Sequence, residues 1–378
     1  MTIGVIGAGR LGLSFALLCE DAGFEVIASD ASESYVKDLR DRTLVTYEPG
    51  IKELLASAKN ITFTTSNLDV IRDSDILFIY VPTPSKYDGT YDVTIVERVL
   101  EQIVDLDVTG RTIVIGCTTN PNDCEDFQDL ALYNDIVYSP EFIAQGSIIS
   151  DMKSADMVLI GAHNRDSVDQ VKDIYYAIQN GRAKFNVMSP TAAEITKMAV
   201  NCYITSKISY ANMIGDTLIA SGLEGEVDNV LLAIGDDRRI GHRNLGYGYG
   251  YGGPCLPRDN RSFARYAERV GIIAGTPTAV DEYNDFHAEF VAAELRRKNR
   301  DKSVPFYIEG VTYKKATDIL TESQQYRLVR DLLEQGYTVC VKDIEPVVEH
   351  LEPVLKAKYG RRILFVDSKP SNAYEIKI

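Results

Sequence analysis

Residues 3–30 restrict the possible folds more than any other stretch of the chain. Ile3-Gly4-Val5-Ile6 is a strand-like apolar run that leads straight into Gly7-Ala8-Gly9-Arg10-Leu11-Gly12, a G-x-G-x-x-G. An apolar helical stretch follows (Leu13, Phe15, Ala16, Leu17, Leu18), then Gly23 and a second strand over 24–29 that ends at Asp30. In a strand–turn–helix–strand unit each glycine has a reason. Gly7 makes the tight turn, Gly9 lets a pyrophosphate approach the backbone, and Gly12 lets the helix pack on the strand. The helix N-terminus then faces the anion. Asp30 can accept hydrogen bonds from ribose hydroxyls, which favours NAD over NADP. NAD is the expected cofactor, with Gly7, Gly9, Leu11, Gly12 and Asp30 among its contacts.

Further strands are expected at 61–65, 76–81, 112–116, 136–139 and 157–160, with helical stretches between most of them, which describes an open parallel sheet. Ligands of such sheets sit at the carboxyl ends of the strands. Two ends stand out, Val81-Pro82-Thr83-Pro84 and Cys117-Thr118-Thr119-Asn120-Pro121. Thr83 and Thr118 are therefore candidates to line the nicotinamide end, where an isolated threonine would more simply cap a loop. Ser139-Pro140-Glu141-Phe142 leaves another strand end with a carboxylate at Glu141.

From Pro190 the period changes. An Ala-, Ile- and Met-rich stretch of helical spacing runs on for about thirty residues, long enough to cross a domain and form a dimer interface. Lys197 and Asn201 lie at i,i+4 on one face of it. A polar pair on an apolar face needs a partner, either a substrate alkoxide or amide or a structural hydrogen bond. From Ser303 a shorter α/β unit follows: a strand over 304–310, a helix over 324–335, a strand over 338–342 ending in Asp343, and a strand over 363–366. It lacks the glycine fingerprint. The expected architecture is α/β, with two Rossmann-like parallel-sheet domains joined by a central helical domain containing a long helix. The expected boundaries are 1–188, 189–300 and 301–378.

At 378 residues the chain exceeds one ordinary core. No run reaches the ~18 apolar residues of a membrane span, and the N-terminal stretch begins as a strand without a signal segment, so a cytoplasmic protein is expected. The net charge of −15 argues against nucleic acid as a partner. Six scattered cysteines and four scattered histidines suggest neither a disulfide framework nor a metal site. One region runs against the acidic balance, with Arg238, Arg239, Arg243, Arg258, Arg261, Arg265 and Arg269 in 32 residues. Local arginine excess suits a phosphorylated ligand, although Arg265 and Arg269 fit a solvated helix face.

Inside that region lies Leu245-Gly-Tyr-Gly-Tyr-Gly-Tyr-Gly-Gly-Pro-Cys255-Leu-Pro-Arg-Asp259. Its glycines permit close packing and φ > 0, and Pro254 and Pro257 stiffen the chain around Cys255. One reading is a mobile Tyr/Gly loop with an incidental thiol. The other is a presented nucleophile. Next to a dinucleotide site a thiol becomes useful when an aldehyde must be oxidised further. The thiolate adds to the carbonyl, the thiohemiacetal loses hydride, and the thioester is hydrolysed.

Gly7-x-Gly9-x-x-Gly12, Tyr47-Glu48-Pro49-Gly50, Val81-Pro82-Thr83-Pro84, Ser139-Pro140-Glu141-Phe142, Lys197-x-x-x-Asn201, Arg239-Ile240-Gly241, the Gly250–Asp259 run and Tyr313-Lys314-Lys315 together resemble the nucleotide-sugar 6-dehydrogenase family nearly end to end. The resemblance implies oxidation of UDP-glucose to UDP-glucuronate, two NAD+ being reduced in turn without release of the aldehyde. It implies that Cys255 is the nucleophile, that Lys197 and Asn201 stabilise the oxyanion, and that Asp259 serves a water or a proton transfer. Thr118 would hold the catalytic water, and Glu141 would act on the sugar end or as a base. Residues Glu141, Phe142, Ile143, Ala144 and Gln145, with Asn244, Leu245, Gly246, Tyr247, Gly248 and Gly252, would hold the substrate. Arg239 would reach the sugar nucleotide from a partner subunit, Lys314 would meet its diphosphate, and Arg258 would stand where a lysine usually lies near NAD.

The chain departs from the family pattern at Gln145, usually a glutamate that contacts NAD and assists thioester hydrolysis. Around Tyr35 it lacks the lysine that often follows the ribose-binding Asp. The family's Asp-Thr-Arg-Glu-Ser run reads Ile319-Leu320-Thr321-Glu322-Ser323, without the arginine. Three rival readings remain: GDP-mannose 6-dehydrogenase, a two-electron 3-hydroxyacid dehydrogenase that would use Lys197 and not Cys255, and a non-catalytic NAD sensor.

Overall fold

The buried apolar strands and the helices between them segregate into two sheets. The computed structural model describes residues 1–143, 146–315 and 317–378. Met1–Met198 form one compact unit and Ala199–Ile378 a second. The first carries β1 (Thr2–Ile6), α1 (Arg10–Asp21), β2 (Glu25–Ser29), α2 (Glu33–Asp41), α3 (Ile51–Ser57), β3 (Ile61–Thr64), α4 (Asn67–Asp73) and β4 (Ile76–Ile79). It continues with α5 (Thr94–Asp105), β5 (Thr112–Ile115), α6 (Asp123–Ala131), β6 (Asp135–Tyr138), α7 (Ile148–Lys153), β7 (Val158–Gly161), α8 (Arg165–Ile178) and β8 (Phe185–Met188). The long helix α9 (Pro190–Ala220) begins in this unit. The second unit holds the rest of α9, then α10 (Val227–Asp236), α11 (Leu256–Arg269), α12 (Gly275–Lys298), β9 (Phe306–Glu309), α13 (Gln324–Glu334), β10 (Val339–Lys342), α14 (Glu345–Tyr359), β11 (Ile363–Phe365) and β12 (Tyr374–Glu375).

The first sheet has the order β3-β2-β1-β4-β5-β6-β7-β8. All four residues of β4 and of β5 are buried, as expected for central strands covered on both faces. On one face Phe15 of α1 packs against Phe78 and Tyr175, with ring centroids 4.4 and 5.8 Å apart. The sheet is parallel except between β6 and β7, which meet antiparallel at Tyr138 and Gly161. Among the described residues the link between these two strands carries only the six-residue α7, and the chain turns back instead of completing a crossover along the sheet.

The second sheet, β11-β10-β9-β12, is parallel throughout. Its last strand has two residues, too short to leave a period in the sequence. At the end of β10, Asp343 stands where Asp30 stands after β2. Its carboxylate accepts the N–H of Val311 at one oxygen and that of Ile344 at the other, both at 2.7 Å.

The 31 residues of α9 span about 45 Å at helical rise. Gly215 survives inside it because the Tyr247 ring occupies the place its Cβ would need, 2.0 Å away. The helix ends in a left-handed Gly222, and Leu223 N–H bonds back to Leu218 at 2.8 Å, a Schellman-type stop. Among the described residues no helix is long and apolar enough to cross a membrane.

Candidate active site

In the first unit β1 delivers the chain into the glycine turn. Gly7 has φ +95°, and a Cβ on Gly12 would lie 2.0 Å from the Gly7 carbonyl oxygen. A Cβ on Gly9 would meet nothing within 4 Å. Gly9 is also the N-cap of α1, and no side chain caps that helix. A helix N-terminus with no side-chain cap beside open space is what a diphosphate requires, so the residues present fit NAD. Leu11 packs at the edge of the core. Asp30 leaves β2 and accepts the Ser32 N–H at 3.0 Å. Tyr35 is pushed up to about 12 by burial and by the charge of Asp30, against the pull of Arg10.

The two threonines read at strand ends are neighbours. Thr83 Oγ1 donates to the carbonyl of Thr118 at 2.8 Å. A residue that sequence reasoning missed fixes this turn. Glu194, fully buried on α9, accepts from Thr119 Oγ1 (2.9 Å), Asn122 N (2.7 Å) and Cys124 N (2.9 Å). It thus serves the start of α6, whose own N-cap offers no side-chain bond. Burial raises its carboxyl to about 7, although these donors pull the other way.

Glu141 forms a second cluster. Its Oε1 accepts from Tyr175 at 2.7 Å and Tyr80 at 3.4 Å. Burial pushes its carboxyl above the usual carboxylate range, partly offset by Tyr175, Lys197 and Tyr80. Burial likewise holds both phenols well above their ordinary value. Lys197, 8% exposed, donates Nζ to the main-chain carbonyl of Glu141 at 2.7 Å, 4.5 Å from the centroid of the Phe142 ring. Ile143 packs against the core. Ala144 and Gln145 lie outside the described residues. Just beyond them, Glu48 accepts the N–H groups of Gly146 (2.8 Å) and Ile148 (2.7 Å), which gives the Tyr47–Gly50 motif a physical role as a fastener.

In the second unit Cys255 is the N-cap of α11, with Pro257 in the first turn. It is exposed, whereas the other five cysteines are buried. The positive end of a helix dipole therefore lies at this residue. Asp259, 1% exposed, accepts from Asn201 Nδ2 at 2.5 Å. Cys202, beside it, is pushed up to about 12 by burial and the Asp259 charge. The loop glycines differ in purpose. Within it only Gly253 takes a positive φ (+83°), while added Cβ atoms on Gly250 and Gly252 would lie 2.3 Å from Asn284 Oδ1 and the Glu322 carbonyl. Gly246 and Gly248 border open space. The loop is pinned as Tyr251 exchanges main-chain bonds with the Asn284 side chain.

The remaining candidates are spread over the second unit. Leu245 is buried against α9 and α10 residues, and Asn244 is exposed with φ +58°. Arg239 is exposed and pairs with Asp237 at 2.5 Å. Arg258 is half-buried and Lys314 exposed. Part of the arginine excess is internal, since Arg261 bonds Asp281 and Glu322 and Arg265 bonds Glu268. A cleft of about 510 Å³ between Leu320 and Glu334 includes none of the predicted residues.

The NAD-binding domain of the UDP-glucose/GDP-mannose dehydrogenase family matches residues 1–179, and the central domain of that family matches residues 191–286. The chain belongs to this family. It is an NAD-binding oxidoreductase, a nucleotide-sugar dehydrogenase. It is 29% identical over 359 residues to a UDP-glucose 6-dehydrogenase of Pseudomonas aeruginosa, covering 91% of this chain and 79% of that one. It is 27% identical over 383 residues to a UDP-glucose 6-dehydrogenase of Rickettsia felis, covering 97% and 83%. The solved UDP-glucose dehydrogenase of Pyrobaculum islandicum superposes with a TM-score of 0.87 at 28% identity, covering 97% of this chain and 86% of that one.

Proposed function

We propose that the chain oxidises UDP-glucose to UDP-glucuronate by four electrons, with Cys255 as nucleophile. The observation that carries this reading is that Cys255 alone of six cysteines is exposed, at the start of a helix and on a loop pinned at Tyr251 by Asn284. Held by the Gly7–Gly12 turn and Asp30, NAD+ supplies the hydride acceptor for both oxidations, with Thr83, Thr118, Gln145 and Arg258 as further contacts.

In the first oxidation the C6 hydroxyl loses its proton through a water served by Thr118 and Asp259. Lys197 and Asn201 stabilise the developing alkoxide. In the second the Cys255 sulfur bonds to the aldehyde carbon, and the thiohemiacetal is oxidised to a thioester. Water then adds at that carbon with Glu141 as base, the C–S bond breaks, and carboxylate and thiol are freed. Residues 141–145 and 244–248, Gly252 and Lys314 hold the sugar nucleotide.

The reading includes three domains (1–188, 189–300 and 301–378), a cytoplasmic location, and a homodimer in which Arg239 serves the neighbouring protomer. Exposed Tyr203, Tyr210 and Met213 on α9 suit such an interface. The test is the yield of NADH per UDP-glucose. Two are expected, with Cys255→Ser abolishing complete turnover. No NADH from UDP-glucose, with activity on GDP-mannose, would move the substrate assignment. One NADH, unaffected by Cys255→Ser, would leave a two-electron dehydrogenase.

A further inference from the structure

His287 on α12 is 1% exposed, and each of its ring nitrogens faces an acceptor. Nδ1 lies 2.8 Å from Oδ2 of Asp216, and Nε2 lies 2.7 Å from the main-chain carbonyl oxygen of Gly248. A neutral imidazole has one N–H and one lone pair. It could serve one of these oxygens while aiming its lone pair at the other. The imidazolium donates to both. Asp216 in turn collects three donors, since Tyr247 O–H reaches Oδ1 at 2.9 Å and Tyr283 O–H reaches Oδ2 at 2.7 Å. The Tyr247 ring meets His287 edge-on at 5.5 Å, and the Gly248 N–H donates to Asn212 Oδ1 at 3.1 Å. The Asp216–His287 pair thus grips two successive residues of the glycine loop, one by its side chain and one by its main chain.

The geometry points to Asp216 and His287 as positioning residues for the nucleotide-sugar loop, a buried hydrogen-bonded pair that fixes Tyr247 and Gly248. The effect on substrate rests on the role proposed above for 244–248, whereas the lock itself does not. The titratable groups facing His287 are Asp216 from α9, Tyr247 from the loop and Tyr283 from its own helix. Glu224, paired with Lys298, acts on Tyr247 from further off. Burial and Asp216 push both phenols up, so the tyrosines stay donors.

The test compares the full-length protein with His287→Ala and His287→Gln. His287→Ala removes both contacts of the ring, and should speed amide exchange over 245–252 and raise KM for UDP-glucose roughly tenfold, the size of one lost hydrogen bond, with kcat little changed. His287→Gln, whose amide can still donate to the Gly248 carbonyl, should recover part of both. Parent-like exchange over 245–252 and a parent-like KM in His287→Ala overturn the proposal, as does exchange that rises equally over the whole chain. If no protein oxidises UDP-glucose, the functional reading fails, and the exchange still decides the role of the pair.

Discussion

The ammonium of Lys197 is tethered twice by one short segment, through a 2.7 Å bond to the Glu141 carbonyl and a contact 4.5 Å from the centre of the Phe142 ring. A flexible four-carbon stem is thereby fixed before any ligand arrives, as preorganised stabilisation of negative charge requires. Lys197→Ala is expected to lower kcat by about 10²–10³-fold and leave the Kd for NAD unchanged, in steady-state and titration measurements. Lys197→Arg should not restore the rate, because a planar fork does not reproduce a point charge. Full activity in Lys197→Ala would remove this residue from the chemistry.

The glycine turn separates folding from binding. Gly12→Ala places a methyl 2.0 Å from a main-chain oxygen and should destabilise the protein by about 1–3 kcal/mol in urea denaturation. Gly9→Ala meets open space. It should unfold like the parent yet bind NAD far more weakly, because its methyl takes the room of the diphosphate. Equal melting and equal NAD affinity in both variants would contradict this division.

Glu194 makes a pH prediction with a definite sign. Its folded value, about 7, lies above the ordinary 4.5, so the folded state holds the proton more tightly. Its contribution is full below 4.5 and is lost as pH rises to 7, a change of roughly 3 kcal/mol. The stability of the wild type minus that of Glu194→Gln should therefore fall between pH 4.5 and 7 and level off above. Parallel stability–pH curves for the two proteins would refute the role of burial.

Cys255 should be the only cysteine modified when the native protein meets a small alkylating agent, as judged by peptide mass spectrometry. The other five should react only after unfolding, because each is buried. Prior alkylation should abolish turnover, and bound UDP-glucose should slow labelling.

Local features were legible in the sequence. The β1–Gly7–Gly12–α1–β2–Asp30 unit is contiguous, and its glycines sit where backbone geometry requires them. The 31-residue helix was visible from its spacing and from Pro190. What stayed hidden depends on partners far along the chain. Lys197 could be seen to need a partner, but the Glu141 carbonyl lies 56 residues away. Glu194, Asp216 and His287 carry no motif, and their meaning comes from groups 31 to 75 residues distant. Strand direction at β6–β7 is set by packing and leaves no period. The loop glycines looked alike in sequence and divide in the structure into one left-handed turn, two close approaches and two open positions.

Asp343 has a kinetic corollary. The second α/β unit repeats the Rossmann outline without the glycine fingerprint, and its strand-end carboxylate fastens two neighbouring amides. Among the described residues the chain then offers a single dinucleotide berth. The four-electron reaction proposed above, served by one berth, would stop halfway while the spent nucleotide departs and a fresh one enters. During that interval the half-oxidised sugar would be captive, and its residence time on the protein would have to outlast the exchange.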